Sequence, residues 1–179
     1  MKPLLEPTKL YSRSEVLSDP LLVPEERGLY AWYFKKIPGI TPTDGCVVKD
    51  GRTLLYVGMS RNLRRRVVDH FTENAEASTL RLTLGVLLTE ESGFPLRIEN
   101  GKRMTFAPPG ENWLDGWMQQ NAFVCWTTHL KPLEAKLCII KNVSLPLNIH
   151  NNEHHPFSKI LKKTRREAKR LAKGTANIQ

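Results

Sequence analysis

Two cationic side chains stand one helical turn apart, where they could act on a phosphate. Three apolar residues recur every four positions in segment 61–72 and predict an amphipathic helix: Leu63, Val67 and Phe71. At 100° per residue, Arg66 and His70 border this stripe, whereas Arg65 points away. A guanidinium held there stays protonated and offers a planar fork to the charge that builds during phosphodiester cleavage. The same geometry also suits Arg66 paired with a carboxylate and His70 as a structural hydrogen-bond donor.

Hydrolysis also needs an activated water and usually a metal ion, and Glu134 has the right ligand chemistry. Its carboxylate falls in the first turn of a helix predicted to begin at Pro132. Magnesium takes one or two protein carboxylates and completes its shell with water and substrate phosphate. A first-turn glutamate also stabilises the helix dipole without any metal. Fourteen residues later, Asn148 ends a Pro-Leu-Asn segment that is otherwise typical of a turn.

Two tyrosine-glycine segments precede these residues. They are Gly28-Leu29-Tyr30 and Tyr56-Val57-Gly58, and Arg66 follows Tyr56 by ten positions. With His70, Glu134 and Asn148 in the same order, residues 27–150 resemble the catalytic module of the GIY-YIG nuclease family. Two departures stand out, because residues 37–52 look inserted between the tyrosines and Met59 occupies a position where some relatives place a lysine.

The resemblance implies a metal-dependent endonuclease that hydrolyses phosphodiester bonds in DNA. Glu134 would hold one divalent ion, Mg²⁺ or Mn²⁺, and Arg66 would stabilise the scissile phosphate. Tyr56 or Tyr30 would activate the water, and Asn148 would brace the site. His70 could share the phosphate or orient a water. The implied fold is a three-stranded antiparallel sheet flanked by helices.

The helices and strands that must position these residues are predicted from the spacing of apolar residues and from the glycines and prolines that interrupt it. Mixed strands and helices without sustained βαβ alternation predict an α/β (α+β) class with a small central sheet covered by helices. The predicted strands are 28–36, 53–58 and 122–128, with a hairpin over 94–107 around Asn100-Gly101. The predicted helices are 61–72 capped by Ser60, 79–91 capped by Ser78, 110–120, and 132–142.

Charge is concentrated in the last of three predicted regions. We expect an N-terminal arm over 1–26, the nuclease-like domain over 27–150, and a joint with a basic amphipathic helix over 151–179. Of the net charge of +9, residues 157–179 carry +7. The predicted apolar stripe of this helix is Phe157, Ile160, Leu161, Thr164, Ala168, Leu171 and Ala172. The predicted nucleic-acid contacts are Arg61, Arg64, Lys162, Lys163, Lys169 and Arg170.

Composition excludes several classes. The 179 residues suffice for one core, and no run of about 18 apolar residues predicts a membrane span. Pro3 and Glu6 interrupt the apolar run that a signal peptide needs. Three cysteines without paired spacing favour a cytoplasmic protein with reduced thiols. Two alternatives remain open: a nucleic-acid-binding module of the same fold without activity, and a protein-interaction domain that uses the terminal helix.

Overall fold

The computed structural model describes residues 2–72, 74–99 and 103–176. Within these ranges the chain forms six strands: β1 (Gly28–Phe34), β2 (Val48–Lys49), β3 (Arg52–Ser60), β4 (Arg97–Glu99), β5 (Arg103–Thr105) and β6 (Ala122–Thr128). The helices are α1 (Lys2–Leu5), α2 (Arg13–Ser18), α3 (Leu63–Thr72), α4 (Thr79–Leu87), α5 (Thr89–Ser92), α6 (Ala107–Asn121), α7 (Pro132–Asn142) and α8 (Pro156–Ala176). Of the helices so described, none has the length and apolar character to cross a membrane.

The main sheet is antiparallel, with strand order β2-β3-β1-β6. This arrangement confirms the predicted class of a small antiparallel sheet flanked by helices. The sheet has four strands rather than three, because the two-residue β2 pairs with the start of β3. Asp50 and Gly51 join them with φ of 49° and 69°, the left-handed values that a tight hairpin turn requires.

Strand alternation divides the core between two faces of the sheet. Tyr30, Trp32 and Phe34 of β1 point into the larger core, which α3, α4, α6 and α8 cover. We call this side the tyrosine face. The intervening residues of β1 pack on the other side against α1 and α7, and we call this the α7 face. Since β1 is buried along its whole length, helices must cover both faces.

The helix starts agree closely with those predicted from the sequence, but one helix is capped by a different residue. Ser60 belongs to β3, so its predicted role as the α3 cap is wrong. Instead the Arg65 amide donates to Asn62 Oδ1 at 2.9 Å, which makes Asn62 the capping side chain. Ser78 caps α4 as predicted, because its hydroxyl accepts from the Arg81 amide at 3.2 Å.

Other elements differ in extent. The helix predicted over 79–91 is interrupted at Leu88 and continues as the short α5. Helix α6 begins at Ala107, three residues earlier than predicted. Strands β4 and β5 form the predicted hairpin, whose Asn100-Gly101 turn lies outside the described residues.

The terminal helix exists as predicted, but its buried side is rotated from the predicted stripe. Phe157, Leu161 and Ala172 are buried, whereas Ile160 and Leu171 are 49% and 55% exposed, so their assignment to the stripe was wrong. Helix α8 packs against α4 and β4. Its contact surface is therefore set by the i, i+4 row that begins at Phe157.

Candidate active site

Four of the six predicted site residues lie on the tyrosine face: Tyr30, Tyr56, Arg66 and His70. Strand register brings the tyrosines together, because Tyr30 pairs with Gly58 and Tyr56 lies two residues from Gly58 on the same face of β3. Their ring centroids are 6.4 Å apart. A Cβ on Gly58 would collide with the Tyr30 ring, so the glycine of the second motif is required by the tyrosine of the first.

His70 holds Tyr30 in place from α3. Its Nε2 is 2.9 Å from the Tyr30 hydroxyl and its Nδ1 is 2.7 Å from the Ser78 hydroxyl. Burial lowers the pKa of His70 well below its usual value, and the charges of Arg66 and Arg81 lower it further. The imidazole is therefore neutral at neutral pH, with one ring nitrogen donating and the other accepting. Because both nitrogens have partners inside the protein, this geometry suits a structural role for His70.

The two phenols differ in electrostatic surroundings. Burial raises the pKa of Tyr30 far above its usual value, the neighbouring Tyr56 raises it further, and the charge of Arg66 opposes this rise. Burial also raises the pKa of Tyr56, but the charge of Arg66, the hydrogen bond from Tyr30 and the charge of Arg165 all oppose this rise. Tyr56 is moreover half-buried, whereas Tyr30 is 2% exposed. Tyr56 is thus better placed to carry negative charge.

Arg66 faces the domain, as its helical phase predicts, and Arg65 is exposed. The Nη1 of Arg66 donates to the Ala77 carbonyl at 3.0 Å. In the part of the chain that the structure describes, no carboxylate forms an ion pair with Arg66, so the alternative of a carboxylate partner is wrong there. That role belongs to the buried Arg81, which contacts Glu111 at 2.8 Å and Asp115 at 2.6 Å. The guanidinium of Arg66 therefore keeps donors for an anionic ligand.

Asn148 hydrogen-bonds to the edge of β3 that does not pair with β1. Its side-chain amide donates to the Val57 carbonyl and accepts from the Val57 amide, both at 2.8 Å. Asn148 thus takes the place of a neighbouring strand where β2 has ended. Leu145 packs on the α7 face and Leu147 on the tyrosine face, so the chain rounds the sheet edge here. This crossing delivers α8 to the side that holds the tyrosines.

Glu134 lies in a different cleft, at the end of β3. The cleft has a volume of about 790 Å³, and the residues that line it with Glu134 are Arg27, Met59, Ser60, Arg61, Lys131, Pro132 and Leu133. The Glu134 side chain is 69% exposed, and its carboxylate is 3.3 Å from Lys131 Nζ. The tyrosines, Arg66 and His70 are not among the lining residues.

The cleft fits a metal ion held by one protein ligand. No group of three His, Cys, Asp or Glu side chains suited to a metal occurs among the described residues. Glu134 offers a hard oxygen ligand, and the cleft has room for water and a phosphate. The nearby Arg27, Arg61 and Lys131 disfavour a lone cation but would be neutralised by phosphate. The residues present therefore suit an ion that binds together with an anionic substrate.

The predicted nucleic-acid contacts lie in four places. Arg61 lines the Glu134 cleft, while Arg64 donates to the Glu25 carboxylate at 2.7 Å and to the Val23 carbonyl at 2.8 Å. A groove of about 580 Å³, which we call the α8 groove, is lined by Ile149, His150, Lys162, Arg165, Arg166, Lys169, Arg170 and Lys173. Lys163 is exposed and does not line the α8 groove.

Sequence reasoning missed Arg165. It lies four residues after Leu161 and three before Ala168, on the side of α8 that packs against the core. Arg165 is half-buried and acts electrostatically on Tyr56. The position of Arg165 on the helix could have identified it as a residue near the core. Inclusion of the exposed Ile160 and Leu171 instead placed the predicted stripe on another side of α8.

The comparison with protein families agrees with this arrangement. The model of the GIY-YIG catalytic domain matches residues 28–167, more than three quarters of the chain. The chain therefore belongs to the GIY-YIG catalytic domain family, a family of nucleases. No curated protein and no solved structure matches it. The family match includes both tyrosines and extends into α8 as far as Glu167.

Proposed function

We propose that this protein is a divalent-metal-dependent endonuclease that hydrolyses phosphodiester bonds in DNA. The observation that carries the proposal is the setting of Tyr56, whose ring centroid is 6.4 Å from that of Tyr30 and whose hydroxyl lies in the field of Arg66 and Arg165. The two guanidiniums favour the phenolate form of Tyr56, and a phenolate can take a proton from an attacking water.

Each side chain of the cluster has a distinct part in this reaction. Tyr56 gives up its own proton to solvent and then, as the phenolate, takes the proton of the attacking water, while Tyr30 donates a hydrogen bond to the Tyr56 oxygen. Arg66 binds a non-bridging oxygen of the scissile phosphate and stabilises the charge that develops on it. His70 orients Tyr30 and keeps the neutral form that its burial imposes.

Glu134 is the proposed ligand of Mg²⁺ or Mn²⁺. Such an ion supplies Lewis-acid stabilisation of the phosphate and lowers the pKa of a bound water. Glu134 offers the carboxylate, and Arg27 and Arg61 hold the phosphate that completes the binding site. The DNA backbone contacts the cations of the α8 groove, where no lining residue is acidic. We also propose a cytoplasmic location, on the cysteine pattern of the sequence.

A DNA-binding protein without nuclease activity is the second candidate. The observation that favours it is the location of Glu134 in a cleft that the tyrosine cluster does not line. The raised pKa of both phenols points the same way, because neither is ionised at neutral pH in the free protein.

Incubation with duplex, flap, branched and single-stranded DNA, in Mg²⁺, Mn²⁺ or chelator, separates the two candidates. We expect cleavage only with metal, and we expect Glu134→Gln to abolish it while DNA binding in chelator is kept. The amide preserves the shape of the side chain but loses the charge that holds the ion.

Glu90→Gln is the matched control, because Glu90 is also an exposed glutamate in the first turn of a helix. The Glu90→Gln protein should cleave DNA at the same rate as the unchanged protein. Metal-independent cleavage, or full activity in a folded Glu134→Gln protein, would contradict the proposed metal site. Binding without cleavage of any DNA would favour the second candidate.

A further inference from the structure

Arg165 links the α8 groove to the tyrosine cluster electrostatically. It is one of the residues that line the groove, and its charge acts on Tyr56. Phe157 and Leu161 anchor α8 in the core that also packs against Tyr56. A residue on a docked helix is held more firmly than one on a loop, so the position of Arg165 relative to Tyr56 is defined by packing.

Arg165 is a half-buried cation whose countercharge is missing from the described part of the chain. There no carboxylate forms an ion pair with it, whereas Lys162 pairs with Glu153 and Arg170 with Glu167. Burial lowers the pKa of the Arg165 guanidinium. Lys169 is subject to the same effect, because burial lowers its pKa first and the charges of Arg165 and Lys173 lower it further. Desolvated like charges without an anion are unfavourable, and a bound phosphate would relieve them.

The spacing of the groove cations suits an extended anionic chain. Lys162, Lys169 and Lys173 lie on one side of α8, with Arg165 and Arg166 between the first two. From Lys162 to Lys173 the helix rises about 16 Å at 1.5 Å per residue. This length corresponds to about five nucleotides of a strand at 3.4 Å each. Arg165 is the member of this row that also acts on the tyrosine cluster.

We propose that Arg165 is a substrate-positioning residue that binds a backbone phosphate where the DNA strand passes from the α8 groove to Tyr56. The guanidinium fork holds this phosphate and thereby places the next phosphodiester bond against Tyr56 and Arg66. The inference rests on the proposed nuclease function, since it assigns the path by which DNA reaches that site. It adds a residue that lies outside the tyrosine-glycine and Arg66 motifs.

The first test does not depend on cleavage. Protein labelled with ¹³Cζ-tyrosine is titrated with a 12-nucleotide DNA strand in chelator, and the Tyr56 signal is followed by NMR. We expect DNA to shift this signal in the unchanged protein and in Lys159→Gln, whose exposed lysine does not line the groove. Arg166→Gln should bind more weakly but keep the shift at saturation. Arg165→Gln should lose the shift at saturation, and Arg165→Lys should keep part of it because the charge remains without the fork.

The second test is the single-turnover cleavage rate at saturating DNA with Mg²⁺. Arg165→Gln should lower it by about 100-fold, the effect of a misplaced substrate, with a melting temperature close to that of Arg165→Lys. A Tyr56 shift that survives in Arg165→Gln, or a cleavage rate equal to that of the unchanged protein, would overturn the positioning role. Absence of DNA binding in every protein, the unchanged one included, would instead overturn the proposed function on which it rests.

Discussion

Replacing Asn148 tests whether the edge of β3 depends on a single side chain. Asn148 is 2% exposed and makes two hydrogen bonds of 2.8 Å to the Val57 backbone. Asn148→Ala leaves one buried N–H and one buried C=O without partners, at about 1–3 kcal/mol each. Allowing for water that enters at the sheet edge, we expect a loss of about 3 kcal/mol. This is a large share of the 5–15 kcal/mol typical of a domain.

Urea unfolding followed by the fluorescence of the buried Trp32 and Trp117 measures this loss. Asn142→Ala is the control, because Asn142 is exposed and its amide donates within α7 to the Cys138 carbonyl at 2.7 Å. It should cost less than about 0.5 kcal/mol. If Asn148→Ala cost less than about 1 kcal/mol at an unchanged slope, the two bonds to Val57 would not be structural, and the reasoning would fail.

Asn148→Asp distinguishes the two bonds. The carboxylate can still accept from the Val57 amide, but it cannot donate to the Val57 carbonyl, which it repels. Burial and this repulsion raise the folded-state pKa of the new carboxyl group above its unfolded value. The folded state then binds the extra proton, so the variant should gain stability relative to the unchanged protein as the pH falls. A variant whose relative stability is independent of pH would contradict the proposed donation to Val57.

Three further predictions concern Arg66, His70 and the α8 groove. Arg66→Ala should slow cleavage by at least about 100-fold, whereas the exposed Arg65→Ala should have little effect; equal losses would indicate a general binding patch. Because the folded-state pKa of His70 is lowered, the free energy of unfolding should decrease as the pH falls from 6.5, by at most about 1.4 kcal/mol per pH unit. The melting temperature should therefore fall between pH 6.5 and 5, and His70→Gln should make this fall smaller. An unchanged profile would mean that His70 is protonated in the folded state. In the α8 groove, substitution of two lysines by glutamine should reduce the slope of log affinity against log salt by up to about 1.8. The same change at two exposed lysines outside the groove should leave this slope unchanged. Equal slopes for the two double variants would place the DNA elsewhere. The groove pair is Lys169 and Lys173, and the outside pair is Lys141 and Lys159.

Local signals predicted most elements of the fold. Pro132 marks the first turn of α7 and Ser78 caps α4, because each acts through backbone groups only a few residues away. The two-residue β2 was not predicted, since it is too short to show a period of two. Ile160 and Leu171 were placed in the buried stripe of α8 because periodicity gives the phase of a helix but not the width of the surface that covers it.

The sequence by itself determined which residues share a helix face or a strand position. It placed Arg66 toward the domain and Arg65 toward solvent. It also placed a glycine at position 58, where the pairing of β1 with β3 lays the Tyr30 ring across the backbone. Such relations depend on the fixed geometry of one or two elements.

Only the tertiary structure decided the partners of these side chains. The pairing of Asn148 with Val57 joins residues 91 positions apart, and the effect of Arg165 on Tyr56 requires α8 to cross to the tyrosine face. Arg81 rather than Arg66 receives the half-buried carboxylates of Glu111 and Asp115 because α6 packs beside α4. Burial and charge depend on every element that surrounds a group, so the electrostatics of the site follow from packing and not from the motif alone.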